Sequence, residues 1–320
     1  MCIRDRLLRQ LFFVLVSFVG ISIVCYALVA ILDPEATVQI GFFSYLAGLF
    51  TGDLGISSVT GKDVFGSFIG QLPASLELVI LATGLAVFMG IPLGVISAKK
   101  HRSTTDTIIN NVSIAAYSMP IFWWAIILIV YFSLEFELTP VAGRLSFIYD
   151  IESVTGFMLI DTLLSEQSYR MEAFYDAIAH LILPVITLAT LPMAITIRVT
   201  RQTMLNVLNE DYMKTAQAKG LSDFSIYWVH GFRNALIPMT NTLSLQISTL
   251  MTGAMVVEYI FAWPGIGKWL IDALAQADYM SLAGGVLITA TMVIVINAVI
   301  ELFALWINPQ AHQKTKVYHD

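Results

Sequence analysis

Residues 211–238, DYMKTAQAKGLSDFSIYWVHGFRNALIP, are polar, alanine-rich and charged with both signs, yet they lie between two apolar runs in a chain that is 57% hydrophobic. Where such a segment sits relative to the membrane, and what holds it there, decides the fold.

The surrounding composition sets the class. Mean hydropathy is +0.77 and only 12% of residues are charged, against about a quarter in soluble proteins, so the chain reads as an all-α integral membrane protein. A helix needs about 20 consecutive apolar residues to cross the hydrocarbon core. Six runs qualify, at about 11–32, 74–98, 108–134, 178–199, 235–257 and 284–307. Helices are the natural form because a spanning segment must satisfy its own backbone hydrogen bonds.

Lys and Arg then set the orientation. With an even number of spans and the N-terminus inside, 13 of the 17 basic residues fall in the cytoplasm, and only Lys62, Arg144, Arg170 and Lys268 fall outside. Both termini and the polar stretch are therefore expected on the cytoplasmic side of the membrane. The chain divides into a cytoplasmic N-terminus and first span (1–32), a periplasmic segment (33–73), spans two and three (74–134), a periplasmic insertion (135–177), spans four to six (178–307) with a cytoplasmic loop at about 200–234, and a cytoplasmic C-terminus (308–320).

The first span follows basic residues as a signal peptide would, but its apolar run of about 22 residues is longer than a signal-peptide core, so it reads as an uncleaved anchor. The opening MCIRDR carries no weight in this reading. The first outer segment is expected to lie along the membrane surface with a short amphipathic helix at 64–72, and the long insertion to carry structure of its own. Pro92, Pro120, Pro184 and Pro192 are expected to kink or interrupt spans, and the G-x-x-x-G step from Gly90 to Gly94 to let two helices approach closely.

Most site chemistries find no pattern. GISSVTGKD has five residues between its glycines and Asp63 after the lysine, whereas a phosphate-binding G-x-x-x-x-G-K-S/T loop needs four and a hydroxyl. The five histidines are scattered, with no metal-ligand spacing and no nucleophile elbow. Neither a catalytic residue, a cofactor nor a metal is expected, and the net charge of −6 argues against a nucleic-acid partner. Cys25 reads as a small core residue. Glu77 and Glu258 are expected to reach the headgroups, while Glu301, deeper in the last span, is an intramembrane acid for which structural pairing, snorkelling and a pathway role all stay open.

In the polar stretch a helix over 211–219 would place Tyr212, Thr215, Ala216 and Lys219 on one face. Gly220 fits the left-handed position that closes a helix, and Ser222 can cap a second helix starting near Asp223. So short a helix is not stable alone. Either it rests on headgroups as an amphipathic connector or it docks on another protein.

The stretch also resembles the cytoplasmic signature loop of ABC-transporter permeases in its dipeptide and oligopeptide form, D-Y-x-x-T-A-x-A-K-G-L-S followed by H-x-x-R-N-A-L-x-P. Asp211, Tyr212, Thr215, Ala216, Ala218, Lys219, Gly220, Leu221, Ser222, His230, Arg233, Asn234, Ala235, Leu236 and Pro238 match in one register. Where the generic signature begins E-A-A, this chain has Lys214, Thr215 and Ala216, as is usual in the peptide branch; the acid usually found as Asp late in the sixth span is Glu301. GDLGISSVTGKDVFGSFIGQLPASLEL and VEYIFAWPGIGKWLIDALAQADY resemble two outer segments of the same family, and TGFMLIDTLLS looks most like its Sap-type members, associated with antimicrobial-peptide resistance and putrescine export.

The resemblance implies a six-helix, type I ABC importer permease (MetI-like) fold. It further implies half of a transmembrane pathway for peptides or small polyamines, formed with a second permease as a heterodimer. Two cytoplasmic ATPase subunits would dock on the loop helix and do the hydrolysis, and a periplasmic solute-binding protein would deliver substrate. An ion-gradient-driven secondary transporter using Glu301 or Glu77, and a membrane scaffold that recruits a partner through the loop, are the readings from other classes.

Overall fold

The computed structural model describes the backbone of residues 3–32 and 41–307 and, within these, the side chains other than those of 3–9, 50, 237–245, 247–248 and 301–307. The described residues form helices and turns, with no strand beyond one isolated antiparallel bridge between Ile56 and Asp63. In chain order they are α1 (Ile3–Leu32), α2 (Phe42–Thr51), α3 (Val64–Lys99), α4 (Thr104–Ser118) and α5 (Ile121–Leu128), which runs on as a π-helix (Ile129–Glu135). There follow α6 (Met158–Leu164), α7 (Arg170–Leu208), α8 (Asp211–Ala218), a second π-helix (Ser225–Phe232), α9 (Arg233–Ile260), α10 (Ile266–Ala275) and α11 (Tyr279–Ile307). The end of the bundle that carries α8 is called inner below, following the charge-based expectation.

Among the described residues α1, α3, α7 and α11 are long and apolar enough to cross a membrane. The span expected at 108–134 is not straight: α4 and α5 meet at an angle of 105°. Pro120 supplies no N–H and pushes the residue before it out of helical conformation, and both Met119 (φ −76°, ψ 128°) and Pro120 (φ −61°, ψ 131°) are extended. The span expected at 235–257 falls on α9, of which Thr249–Ile260 is described as an apolar run; the count of six stays an expectation.

The short surface helix expected at 64–72 is instead the start of α3, which continues for 36 residues through Pro73 and Pro92. Packing explains the difference. Val64 buries itself against Leu54, Ala283 and Leu287, and Phe68 against Ile266 and Leu270, so the apolar face that would have lain on lipid is taken up by protein.

The longest seam joins α3 to α7. A Cβ on Gly90 would lie 2.9 Å from Thr196 Cβ, and one on Gly94 would lie 2.8 Å from the Ile197 carbonyl oxygen, so the expected G-x-x-x-G contact is real and α7 is its partner. α7 itself runs 39 residues across Pro184 and Pro192 without a break. Hydroxyls help there: Thr187 donates to the Leu183 carbonyl and Thr196 to the Pro192 carbonyl, each at 2.8 Å, the kind of local support that makes proline tolerable in a spanning helix. Cys25 is a buried residue between α1 and α11, as expected.

Glu77 and Glu258 do not reach headgroups; both are buried and partnered, because chain that is distant in sequence folds over them. Arg144, from the long insertion, donates from Nε (3.1 Å) and Nη2 (2.5 Å) to Glu77 Oε2, and its Nη2 also donates to the Gly156 carbonyl at 2.6 Å. The Leu159 N–H donates to the other Glu77 oxygen at 3.1 Å. Beneath Arg144, at 5.4 Å, lies the ring of Trp263, fully buried and donating from its indole to the Ala74 carbonyl at 2.9 Å. Glu258 accepts from Ser75 Oγ (2.6 Å) and from the N–H groups of Gly267 (2.7 Å) and Lys268 (3.2 Å). Its carboxyl thus sits at the N-terminus of α10, where unpaired N–H groups can donate to it. Glu301 lies on α11, and its side chain is outside the described residues.

Asp278, just before α11, draws the first outer segment in: Ser57 Oγ donates to it at 2.5 Å and Ser58 Oγ at 3.4 Å. Burial raises the Asp278 carboxyl, but hydrogen bonds from Ser57, Ser281 and Ser58 outweigh it and hold the group below its ordinary value.

Two outcomes follow from these contacts. Arg144→Ala leaves Glu77 buried and uncompensated, which is expected to cost about 3–5 kcal/mol, read as a lower Tm in detergent; Glu77→Gln added to it recovers part of the loss. A carboxyl depressed in the fold contributes stability above its unfolded pKa and loses it as pH falls through the lower folded one. Acid titration of stability is therefore expected to show a loss below the ordinary Asp range that Asp278→Asn lacks.

Candidate functional site

At the inner end the chain leaves α7 through Asn209 and Glu210 and forms α8. Asp211 stands in the first turn of α8, where the helix dipole favours an acid. Thr215 Oγ1 turns back to the Asp211 carbonyl at 3.0 Å. The helix ends where the spacing predicts: Gly220 is left-handed at φ +73°, its N–H donating to the Gln217 carbonyl at 3.0 Å. A Cβ on Gly220 would meet nothing within 4 Å, so the demand there is on backbone conformation, not on space. Ser222 Oγ accepts from the Ser225 N–H at 3.4 Å at the head of the second helix, which starts at Asp223 and is wound as a π-helix from Ser225 to Phe232.

One residue nails α8 down. Met213 is fully buried, while Asp211, Tyr212, Lys214, Thr215, Ala218 and Lys219 are exposed and Ala216 is half-buried. Leu221 and Phe224 are also exposed beside the turn. Lys214 and Asp211 pair at 2.8 Å with both groups largely in solvent, a contact of little energetic consequence. At Tyr212 burial pushes the hydroxyl up, the Glu210 carboxylate adds to that, and a hydrogen bond with Asn234 opposes both. His230, Arg233 and Asn234 lie exposed where the π-helix passes into α9, Asn234 Nδ2 donating to the His230 carbonyl at 2.8 Å. Pro238 is on α9, with its side chain outside the described residues.

The second helix is braced where α8 is not. A Cβ on Gly231 would be 3.0 Å from Met204 Cε of α7 and 2.9 Å from the Ile226 carbonyl, and Tyr227, Trp228 and Phe232 pack on the cluster formed by Val95, Ala98, Met204 and Ala235. Lys99, the last residue of α3, pairs with Asp223 at 2.9 Å and lies 5.3 Å from the centre of the Tyr227 ring. The result is an exposed short helix on a rigid mount.

The mount rests on a hub that sequence reasoning missed. Asp106, near the start of α4, takes a two-pronged contact from Arg201 of α7, Nε to Oδ1 at 2.7 Å and Nη2 to Oδ2 at 2.8 Å. It also accepts from Ser97 Oγ of α3 at 2.5 Å and from the Arg102 N–H at 2.9 Å. Three helices meet on one carboxylate. The available signal was Ser103 three residues before Asp106, a helix-start pattern that places an acid where a span begins; Ser103 Oγ does accept from the Asp106 N–H, at 3.3 Å. Nothing in the linear sequence marks Arg201 as its partner.

Asp106→Asn is expected to lower Tm more than Ser97→Ala, whose lost bond to a charged group is worth about 1.5–3 kcal/mol, and to speed proteolysis within 209–222. Equal Tm losses in the two variants would remove the hub from this account.

Comparison with known proteins fits this geometry. Residues 90–313 match the model of the family described as "Binding-protein-dependent transport system inner membrane component", a stretch that includes the inner end of α3, the hub, α8 and its mount. The chain is 43% identical to the di/tripeptide transport system permease protein DppB of Pseudomonas aeruginosa, covering 96% of this chain and 98% of that one. The dipeptide transport system permease protein DppB of Escherichia coli is 40% identical with the same coverage. The putrescine export system permease protein SapB of Escherichia coli is 37% identical, covering 98% and 97%. With a family match over most of its length and relatives aligned end to end, this chain belongs to the binding-protein-dependent transport system inner membrane components, the permease components of ABC transporters.

Proposed function

We propose that the chain forms half of the transmembrane pathway of an ABC transporter for short peptides or small polyamines. It sits in the bacterial inner membrane with both termini and α8 in the cytoplasm. A second permease completes the pathway, two cytoplasmic ATPase subunits grip the exposed face of α8, and a periplasmic solute-binding protein delivers substrate to the outer end. Hydrolysis belongs to the ATPase subunits.

One observation carries the reading: α8 offers Tyr212, Thr215 and Lys219 to solvent on a mount that is packed into the spans. A helix that merely rested on headgroups would have no use for a braced second helix, whereas a coupling contact needs one. Motion of the ATPase pair then passes from α8 through the Gly220 turn to the π-helix, and from there into α7, α3 and α9. The peptide and polyamine substrates named for the relatives supply the cargo class. An ion-gradient carrier working through Glu77 finds no support in the geometry, since Arg144 already neutralises that acid.

Gly220→Val forces a β-branched residue into φ +73°, and Ala216→Trp puts bulk on the half-buried edge of α8. Both variants are expected to insert and to assemble while ATP hydrolysis loses its coupling to transport, transport falling about ten-fold or more at retained ATPase turnover in reconstituted complexes. Normal coupled transport in both would sink the proposal, as would ATP-independent transport by the purified chain alone.

A further inference from the structure

The face of α7 turned away from α3 carries Thr187, Leu191, Ile195, Arg198 and Gln202 at helical spacing, and it borders three recesses of ≈ 280, ≈ 20 and ≈ 520 Å³. They are one groove. Ile121, Leu191 and Gly253 border both the first and the second, Ile195 the second and the third, and Tyr117 the first and the third. Its other walls are α9 and the α4–α5 pair, which opens a gap at its bend.

Asn110, Gln202 and several threonines line the groove, and two of its polar side chains stand apart from the rest. Gln246 lines the narrow middle, is only 7% exposed, and its Nε2 has no hydrogen-bond partner among the described residues; a buried donor left unpaired is costly, and an acceptor on a ligand would relieve that cost. At the inner end Arg198 lies 5.7 Å from the centre of the Tyr117 ring, and no carboxylate among the described residues pairs with it. No Asp or Glu borders any of the three recesses among the described residues. Pro192, which borders the middle, brings no N–H to the Leu188 carbonyl beside it.

We propose that this groove grips the substrate during translocation, and that Gln246 and Arg198 select a molecule with a backbone carbonyl and a free carboxylate, a short peptide, over a polyamine. A polyamine has only N–H groups and positive charge to offer, so it would leave the Gln246 donor unpaired and be repelled by Arg198. A peptide brings carbonyls for Gln246, a carboxylate for the guanidinium fork and N–H groups for the Leu188 carbonyl.

This inference rests on the permease reading, and the test separates the two. The transporter is assembled from this chain, its second permease, the ATPases and the binding protein in proteoliposomes, and initial ATP-dependent uptake is measured for dialanine, its C-terminal amide and putrescine. The same binding protein serves every variant, so its own selectivity cancels in comparisons with wild type. Arg198→Ala is expected to lower the dialanine-to-amide ratio about ten-fold, Arg198→Lys to keep most of it, and Gln246→Leu to slow both peptides while leaving their ratio unchanged. A wild-type ratio in Arg198→Ala overturns the proposal, and so does a putrescine-to-dialanine ratio that fails to rise in Arg198→Ala. If a helix of the second permease fills the groove instead, Arg198→Ala will reduce recovery of the assembled complex and slow both peptides alike, which also overturns it. Failure of the permease reading looks different: no ATP-dependent uptake of any of the three by the wild type.

Discussion

The close approach of α3 and α7 through Gly90 and Gly94 is the contact on which the rest of the molecule depends. Lipid provides no hydrophobic drive for one helix to leave it for another, so spanning helices associate where small residues let backbones come near. Thr196 and Ile197 of α7 occupy the space that side chains on those glycines would need. The glycines lie toward the inner ends of both helices, so the seam is tightest next to the part of the bundle that carries the loop helix.

Three buried acids tie chain distant in sequence to that pair. Glu77 holds the long insertion through Arg144 and Leu159, Glu258 holds the start of α10 and the Ser75 turn of α3, and Asp106 joins α3, α4 and α7. An acid in such a setting is expensive unless partners converge on it: Glu77 and Asp106 each have an arginine, and Glu258 has a hydroxyl and two backbone N–H groups. The insertion is consequently part of the body of the protein, with Arg144 lying over Trp263 and Gly143 donating to the Phe261 carbonyl at 2.8 Å. Movement of α3 would carry the insertion with it.

The inner end has the opposite character by design of its contacts. α8 buries Met213 and little else, while the helix after it is packed against three spans. A segment with few buried contacts and a firm base suits an exchange of force with another subunit: its exposed face is left for the partner, and its mount does not yield. The groove on the far face of α7 is bordered by residues of the same helix, so a shift at the inner end and a change in the grip on substrate would share one rigid element.

The amino-acid sequence by itself determined the class, the helical nature of the spans, the helix–glycine–helix form of the loop and the Gly90–Gly94 contact, because each rests on local composition, spacing or backbone conformation. Gly220 is legible in this way: a left-handed turn after an alanine-rich helix needs no distant partner. The tertiary structure alone decided the fates of Glu77, Glu258 and Asp106, the straightness of α3 past residue 72, and the 105° bend between α4 and α5. Proline at 120 announced an interruption, but its angle depends on what packs around it. An acid near a span end looks the same in sequence whether it reaches water or an arginine 67 positions away, because burial is set by which chain folds over it, and that is a property of the assembled bundle.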